Sequence, residues 1–447
     1  MRRSTRAVAT AAAAVMMAGL LGSFPAAAGH DESLHSDNVK LVARKPIKID
    51  KDIFAQGSDL AFQGRLIVAG TYEGTAFFKI LKRGRIKQVG FHHCPGSQGD
   101  VSVWGKYVFV SIDSPGTNNG TGPACNNTDE SNGKEGLRII DISDLSKPRQ
   151  VKFVETPCGS HTHTLSPAGN TLYAYIESYP LGAPTATCSP ASHRKVSVVK
   201  IPLSDPTKAE IAGELDVSPA IGCHDLTTFP EKDIAIAACI SESQVWDISD
   251  PAQPAKLAVI NNPAIQVHHS ASFTWDGKYA ILSDEHGGAE GGGCAGQKDS
   301  KVGAMYFYDI TDPAAPLEVG DYSLPRIPPA DYQGESRTAR CTTHLYNILP
   351  MKDPAKYIAA SSYYEGGISV VDFSDPANEE EVGYYLDIPG GQLPDSWSAY
   401  WYNGYIFTND HQSQHGIRVF KMKGLGKNQV HYFKGRFNPQ VQIASFK

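Results

Sequence analysis

The sequence predicts an all-β fold: a seven-bladed β-propeller of four-stranded blades, with the ring closed by an N-terminal strand. The first observation is an apolar strand that ends in an Asp-rich turn and recurs along the chain. Its copies are residues 136–144, 245–251, 308–313 and 371–376, with a degenerate copy at 201–206. The second is the spacing of these turns, which lie between 45 and 63 residues apart, enough for one blade each. The third is that the runs between them are short, β-branched or alternating, and bounded by Gly, Pro, Asp and Asn, which is typical of strands.

Each unit has the same order of elements. A short strand that opens with His or Asp is followed by a stronger apolar strand, a variable loop, the recurring strand, the Asp-Pro turn and an outer strand. The turn has a physical basis, because Pro presets φ and the Asp carboxylate accepts a hydrogen bond from a turn N–H. The seven inner strands are predicted to open near Asp59, Asp100, His163, His224, His269, His344 and Trp397.

Closure of the ring requires a strand from a chain end. Residues 38–42 resemble the outer strands of the other units, so we predict that they complete the last blade. Residues 430–446 compete for the same edge, and the sequence leaves the choice open.

The first 28 residues have the features of a signal peptide. Arg2, Arg3 and Arg6 are followed by a small-residue apolar stretch and by an A-x-A site at 26–28. We therefore predict a signal peptide at 1–28, a single propeller domain at 29–447, and a secreted, extracellular protein that is a monomer. No later stretch is long and apolar enough to predict a membrane span.

Charge limits the classes of partner. The chain has 447 residues, 41 basic against 47 acidic side chains and a formal net charge of −6, with no basic block. This mixed charge argues against nucleic acid and against adhesion to an anionic membrane.

Eight cysteines in an exported chain predict disulfides. We expect neighbours to pair in order, so that each bond ties a long loop to a nearby strand. The expected pairs are Cys94–Cys125, Cys158–Cys188, Cys223–Cys239 and Cys294–Cys341. A zinc cluster is the alternative, but no C-x-x-C spacing supports it.

The recurring strands resemble the LVIVD repeat, a propeller repeat of secreted or surface proteins of bacteria and archaea. Segments 94–98, 159–164, 223–225, 269–273 and 397–406 are similar to a secreted bacterial branch of that family. The resemblance covers nearly the whole chain after residue 28. It implies the propeller fold and assigns no reaction.

Histidines concentrate where inner strands open. Because these strands run along a central channel, residues at their starts converge from different blades. We predict a metal site formed by His161, His163, His224, His269 and His344, the last four also being candidate acids or bases. Imidazoles meeting at one axis suit a divalent transition metal such as Zn, Cu, Mn or Fe. Strand alternation leads us to expect that His161 and His163 share one face, and that His269 points inward where His268 does not.

Several acidic, histidine and aromatic residues outside the predicted metal site also have expected roles. Asp59, Asp100 and Asp225 open inner strands, and we interpret them as structural acceptors for backbone N–H groups. Loops after the second strands offer a further ring of side chains: Glu73, Asp113, Glu177, Asp284, Glu285, His286, Glu365, Asp410, His411 and His415. His92 and His93 are interpreted as surface or loop residues, and no role is expected for His30, His35, His193 and His431. Trp397 or Tyr363–Tyr364 are candidates to stack on a flat ligand.

Three functional hypotheses follow. The first is a metal-loaded axial site that binds an extracellular small molecule or polysaccharide. The second is a lyase or hydrolase acting on a polysaccharide with axial histidines as acid and base, an analogy at the level of the fold. The third is a non-catalytic interaction scaffold. No nucleophile elbow, Walker loop, dinucleotide fingerprint or H-E-x-x-H is present, and the sequence does not decide whether anything is turned over.

Overall fold

The computed structural model describes residues 33–114, 134–180, 188–286, 301, 303–326, 328 and 340–447. The predicted signal peptide and the cysteines Cys125 and Cys294 lie outside these residues. Within them, no helix is long and apolar enough to cross a membrane.

The described residues form seven four-stranded antiparallel blades, as predicted. Blade 1 is Gly57–Gln63, Leu66–Thr71, Gly74–Ile80 and Ile86–His93; blade 2 is Val101–Trp104, Tyr107–Ile112, Gly136–Asp141 and Arg149–Glu155; blade 3 is Thr162–Ala168, Thr171–Glu177, Lys195–Pro202 and Glu210–Asp216; blade 4 is Asp225–Phe229, Ile234–Ala238, Ser243–Asp247 and Ala255–Ile260. Blade 5 is His268–Phe273, Tyr279–Asp284, Met305–Asp309 and Leu317–Tyr322; blade 6 is Tyr346–Ile348, Ile358–Ser362, Ile368–Asp372 and Glu380–Leu386; blade 7 is Ser396–Tyr402, Tyr405–Asp410, Ile417–Met422 and the N-terminal strand Val39–Lys45.

Short elements complete the described part of the chain. Leu34–His35 adds a fifth strand to blade 6, Arg436–Phe437 adds one to the inner edge of blade 1, and Lys48–Asp50 pairs with Ile53–Phe54. Single turns of 3₁₀-helix lie at Lys82–Gly84, Pro206–Lys208, Pro230–Lys232 and Pro389–Gly391.

The recurring Asp-rich turn has the predicted geometry. The carboxylates of Asp144, Asp250, Asp312 and Asp375 each accept a hydrogen bond from the backbone N–H two residues ahead, at 2.9, 3.0, 3.0 and 3.2 Å. Such a bond holds the turn without help from the rest of the blade. The motif is therefore structural and lies on the outer side of each blade, away from the axis.

The N-terminal and C-terminal segments pair with different blades. Val39–Lys45 pairs antiparallel with Ile417–Met422 and closes the ring, so the prediction for residues 38–42 is confirmed. The C-terminal segment does not compete for that edge. Arg436–Phe437 pairs with Phe62–Gln63 at the end of the inner strand of blade 1. The backbone N–H of Thr228 in blade 4 donates to the Gln440 carbonyl, and the Thr228 carbonyl accepts from the Gln442 N–H.

This C-terminal segment crosses the floor of the channel. Asn438 donates to and accepts from the backbone of Val103, at 3.1 and 2.8 Å, and the Gln442 amide donates to the carbonyl of Phe273 at 2.9 Å. These partners lie at the ends of inner strands, whereas the histidines lie at their starts. The channel is therefore covered at the end opposite the histidines.

Two of the predicted disulfides are present among the described residues, Cys158–Cys188 and Cys223–Cys239. Cys94 and Cys341 are also disulfide-bonded. Their expected partners, Cys125 and Cys294, lie in the undescribed segments, so these two pairings stay predictions. The disulfides are consistent with an extracellular protein.

We predict that Phe437→Ala lowers the unfolding free energy by about 3–5 kcal/mol, because it empties a buried aromatic position. Phe437 is 4 % exposed and stacks on Phe433 with ring centroids 4.1 Å apart. Leu317→Ala is the control, since Leu317 is 66 % exposed on an outer strand and should change stability by no more than about 0.5 kcal/mol. Chemical denaturation measures both; equal, small effects would show that the C-terminal segment is not packed into the floor.

Candidate metal centre

Four imidazole rings from blades 3 to 6 form a row at the mouth of the channel. His161 precedes the inner strand of blade 3, His224 precedes that of blade 4, His269 lies in that of blade 5, and His344 precedes that of blade 6. Successive ring centroids are 4.4, 3.7 and 4.4 Å apart, and all four side chains are buried. The predicted convergence of strand starts therefore brings these four residues into contact.

The two outer histidines are held by their Nδ1 atoms. His161 Nδ1 lies 2.5 Å from a carboxylate oxygen of Asp113, and His344 Nδ1 bonds the carbonyl of Trp397. Because both partners are acceptors, the proton lies on Nδ1 and the Nε2 lone pair faces the row. A histidine that donates from one ring nitrogen while the other is free is the usual arrangement of a metal ligand.

The Nε2 atoms of His161 and His344 point at other atoms of the kind that bind metals. His161 Nε2 is 2.9 Å from His224 Nε2, and His344 Nε2 is 3.6 Å from Glu285 Oε1. Two nitrogens bound at 2.0–2.1 Å and at right angles would lie about 2.9 Å apart. The spacing of His161 and His224 therefore suits two ligands of one ion.

The centre of the row contains three donor atoms close together. His224, His269 and Glu285 each offer one ligand atom, and these atoms lie within 4.8 Å of one another. His269 is 0 % exposed, and neither of its ring nitrogens has a hydrogen-bond partner among the described residues. Its Nε2 faces Glu285 Oε2 at 3.4 Å, and Tyr364 donates a hydrogen bond to the other oxygen of that carboxylate. A buried polar atom without a partner is costly, so its retention here points to a ligand.

Burial lowers the pKa of three histidines of the row, His224, His269 and His344, and keeps them neutral. Burial, assisted by His161 and His344, lowers the pKa of His224 well below its ordinary value, and burial with the charge of His224 does the same to the pKa of His269. Burial lowers the pKa of His344 to about 3. Neutral imidazole is the form that binds metals.

The ionisation of Glu285, the carboxylate at the centre of the row, is also perturbed. Burial raises the pKa of Glu285 to about 7, although the hydrogen bond from Tyr364 acts in the opposite direction. Part of the Glu285 population therefore holds a proton at neutral pH, and a bound cation would displace it.

Aromatic side chains form the rim of the mouth. Tyr179 contacts His161 edge-on with centroids 4.8 Å apart, and Trp397 contacts His344 edge-on at 4.6 Å. Tyr72 and His411 pack around Trp397, at 6.3 and 5.3 Å. All four rim residues are partly exposed, whereas the row beneath them is buried.

A cavity of about 10 Å³ beside the row, lined in part by Asp59, Asp100, His224, His344 and Gln440, has room for about one water molecule. The space beside the buried row is therefore no larger than a single ion or water molecule.

His163 does not join the row. Its Nδ1 lies 3.0 Å from Asp100 Oδ2 and 2.8 Å from Ser111 Oγ, both of blade 2. His161 and His163 both direct Nδ1 at the blade 2 side, as expected from alternation, but His163 lies two residues further along the chain and is held there by Asp100 and Ser111. Conversely, His268 bonds Ser243 through Nδ1 at 2.8 Å, away from the row that His269 joins, as expected.

The strand-opening acids have the interpreted structural contacts. Asp100 accepts from the His163 N–H and Asp225 from the Leu226 N–H, both at 2.8 Å, while Tyr400 donates to Asp59 at 2.5 Å. Burial and the charge of Asp100 raise the pKa of Asp59 and of Asp225 well above the ordinary value.

Of the loop ring, Asp113 and Glu285 contact the histidine row. Other members of this ring have structural contacts: Asp284 accepts from the N–H groups of Gln266 and Val267, and Asp410 pairs with Arg418 at 2.5 Å. Glu365 accepts from the Arg340 N–H at 2.5 Å.

Two expectations, one for a histidine and one for a pair of tyrosines, require correction. His92 is buried in the outer strand of blade 1, not a surface residue, because its strand packs beside Arg138; burial lowers its pKa to about 3. Tyr363 and Tyr364 are 0 and 1 % exposed, so neither is a platform for a ligand ring. Tyr364 instead orients Glu285.

His193 was given no role from sequence, yet it contacts a disulfide. Its Nε2 lies 3.1 Å from Cys188 Sγ, and the ligand atoms of Cys158, Cys188 and His193 lie within 4.8 Å of one another. While the disulfide is closed neither sulfur is a thiolate, so the group is not a metal site in this state. The separation of Cys188 and His193 by five residues was the available signal.

Comparison with known proteins supports the fold. Residues 132–156 match the model of the LVIVD repeat. The chain is a β-propeller that carries the LVIVD repeat. No curated protein matches its sequence.

Two solved structures are similar to the LVIVD-repeat chain. The WD40 β-propeller domain of Doa1 matches with a TM-score of 0.53 at 10 % identity, covering 86 % of this chain and 97 % of that one. The N-terminal domain of Nup159 matches with a TM-score of 0.48 at 11 % identity, covering 88 % and 96 %. At this identity the first likeness shows the fold alone.

We predict that Glu285→Gln stabilises the metal-free protein increasingly as pH rises. The folded pKa of about 7 exceeds the ordinary 4.5, so the folded carboxyl retains a proton that the unfolded chain releases. Below pH 4.5 the Glu285 carboxyl is protonated in the folded and the unfolded chain, and its contribution to stability is fully present. As pH rises from 4.5 to about 7 the unfolded chain loses the proton first, so the unfolding free energy falls; above about pH 7 the loss is constant.

Glutamine has no such titration. The difference in unfolding free energy between variant and wild type should move in favour of the variant by about 2 kcal/mol between pH 5 and pH 8. Denaturation in the presence of a chelator measures it, and parallel pH profiles for the two proteins would contradict the assigned pKa.

Proposed function

We propose that this protein is a secreted, monomeric propeller that binds one divalent transition metal at the mouth of its channel. The ligands are His224, His269 and Glu285, joined by His161 and His344 from the two ends of the row. The observation that carries the proposal is His269, a fully buried imidazole with no hydrogen-bond partner that faces a carboxylate 3.4 Å away. The apolar start of the chain and the disulfides support export.

The donor set supports particular metals. Imidazole nitrogens with a single carboxylate suit Zn, Cu, Fe or Mn, and the lack of a thiolate in the set argues against a Cys-based structural zinc site. The Irving–Williams order makes Cu²⁺ the tightest of these ions at a site of nitrogen donors.

The surroundings support a small extracellular ligand. The row lies below a rim of partly exposed aromatic rings, and the floor of the channel is covered by the C-terminal segment. Tyr179 and Trp397 offer apolar contact to a molecule that reaches the metal from the mouth. A polysaccharide chain is a poorer candidate for direct contact, since His224, His269 and His344 are at most 5 % exposed.

The test is a metal titration of the tag-free mature chain after dialysis against a chelator. We expect one equivalent of Cu²⁺ or Zn²⁺ to bind to wild type, and the affinity to fall at least about 100-fold in His269→Gln, because a ligand is lost where the loss of a supporting group alone costs 10–100-fold.

His268→Gln is the matched control, since the adjacent buried histidine bonds Ser243 on the other side of the strand. It should bind like wild type. Failure of wild type to bind any of Cu, Zn, Mn or Fe, or equal loss in both variants, would contradict the proposal and favour a non-catalytic interaction scaffold.

A further inference from the structure

A disulfide lies beside a pocket on the side of the propeller, outside the metal centre. The pocket, of about 250 Å³, lies between blades 2 and 3 and is lined in part by Thr156, Cys158, Ser178, Ser192, Lys195 and Glu214. Cys158 belongs to this wall and Cys188 does not, so the two sulfurs have different surroundings. A thiol of low molecular weight that enters the pocket meets Cys158 first.

The other sulfur contacts an imidazole. His193 Nε2 lies 3.1 Å from Cys188 Sγ, and His193 Nδ1 lies 3.1 Å from Ser178 Oγ. A disulfide sulfur carries no proton, so a hydrogen bond between these atoms requires the proton on Nε2. That tautomer lets the Ser178 hydroxyl donate to Nδ1, and both contacts are then satisfied.

The different surroundings of the two sulfurs affect how the disulfide reacts with a thiol. The rate of thiol–disulfide exchange depends on which sulfur is attacked, on access to it, and on how readily the other sulfur leaves as a thiolate. Here Cys158 lines the pocket, although it is 8 % exposed and Cys188 is partly exposed on another side. A thiol held in the pocket therefore faces Cys158, and the His193 N–H donor is directed at Cys188, the sulfur that would leave.

The second described disulfide lacks these features. Cys223 and Cys239 are both 0 % exposed and lie in a core cluster with Trp246, Leu226 and Val217. It is a structural bond of the same chain and provides an internal reference.

We propose that Cys158–Cys188 is a thiol–disulfide exchange site for low-molecular-weight thiols, with Cys158 as the attacked sulfur and His193 as the residue that stabilises the departing Cys188 thiolate. The thiolate of the incoming thiol forms a bond to Cys158 Sγ while the Cys158–Cys188 bond breaks, and the electron pair stays on Cys188, which takes a proton from solvent. A second thiol then attacks the sulfur of the first, releasing Cys158. Two thiols are oxidised to one disulfide, and the protein disulfide is reduced to two thiols.

Reduced glutathione is the probe, applied to the folded, oxidised full chain at pH 7 well below its melting temperature. Samples are trapped with N-ethylmaleimide and mapped by mass spectrometry. We expect Cys158–Cys188 to open at least about tenfold faster than Cys223–Cys239, with glutathione on Cys158 and maleimide on Cys188 in the early product.

Two variants separate the role of His193 from simple exposure. His193→Phe keeps a ring but has no N–H donor and should slow the opening of Cys158–Cys188 about tenfold, while the rate for Cys223–Cys239 stays unchanged. Ser178→Ala removes the partner of Nδ1 and should slow it by a smaller factor, which keeps the test decisive if the first variant misfolds. Equal opening of the two disulfides, glutathione on Cys188, or wild-type rates in the folded variants would overturn the proposal. None of these outcomes depends on metal binding.

Discussion

Pairing of Val39–Lys45 with Ile417–Met422 is the interaction on which the rest of the structure depends. Each blade contributes one strand start to the axis, and no single blade carries more than one ring of the histidine row. Only a closed ring fixes blades 3 to 6 at the distances that bring four imidazoles into contact. The same closure sets the inner strands around the C-terminal segment, which covers the far end of the channel.

The histidine row has an energetic cost that folding alone does not explain. Burial of several imidazoles and one carboxylate without full hydrogen bonding opposes folding, and the lowered pKa values of the histidines and the raised pKa of Glu285 are expressions of that cost. The closure of the ring and the aromatic cores between the blades offset it. Destabilised groups held in a rigid frame are typical of functional sites, since the frame keeps the donors in place before a ligand arrives.

Much of the fold could be predicted because its signals are local. The Asp-rich turn is made by a side chain two residues from its donor, and strand periodicity is carried by adjacent residues, so the repeat and the blade count are present in the sequence itself. The role of the C-terminal segment could not be predicted, because Asn438 and Gln442 bind the backbone of strands more than 150 residues away. Long-range contacts of amide side chains leave no periodic pattern.

The candidate site also has a part that could be predicted from the sequence and a part that could not. Strand starts predicted His224, His269 and His344, but they did not predict that Asp100 and Ser111 hold His163 away from the row. The functions of Asp113, Glu285 and Tyr364 depend on loops that differ in length from blade to blade. Their types were visible in the sequence, but the contacts between blades were not. His193 was dismissed for the same reason, since its partner is defined by a disulfide and a neighbouring strand.

Anomalous diffraction from crystals of the mature protein, grown after loading with Cu²⁺ or Zn²⁺, tests the central claim most directly. We predict one strong anomalous peak at the mouth of the channel, within about 2.3 Å of a ring nitrogen of His269 and of a carboxylate oxygen of Glu285. A peak elsewhere on the molecule, or no peak at the histidine row in loaded crystals, would contradict it.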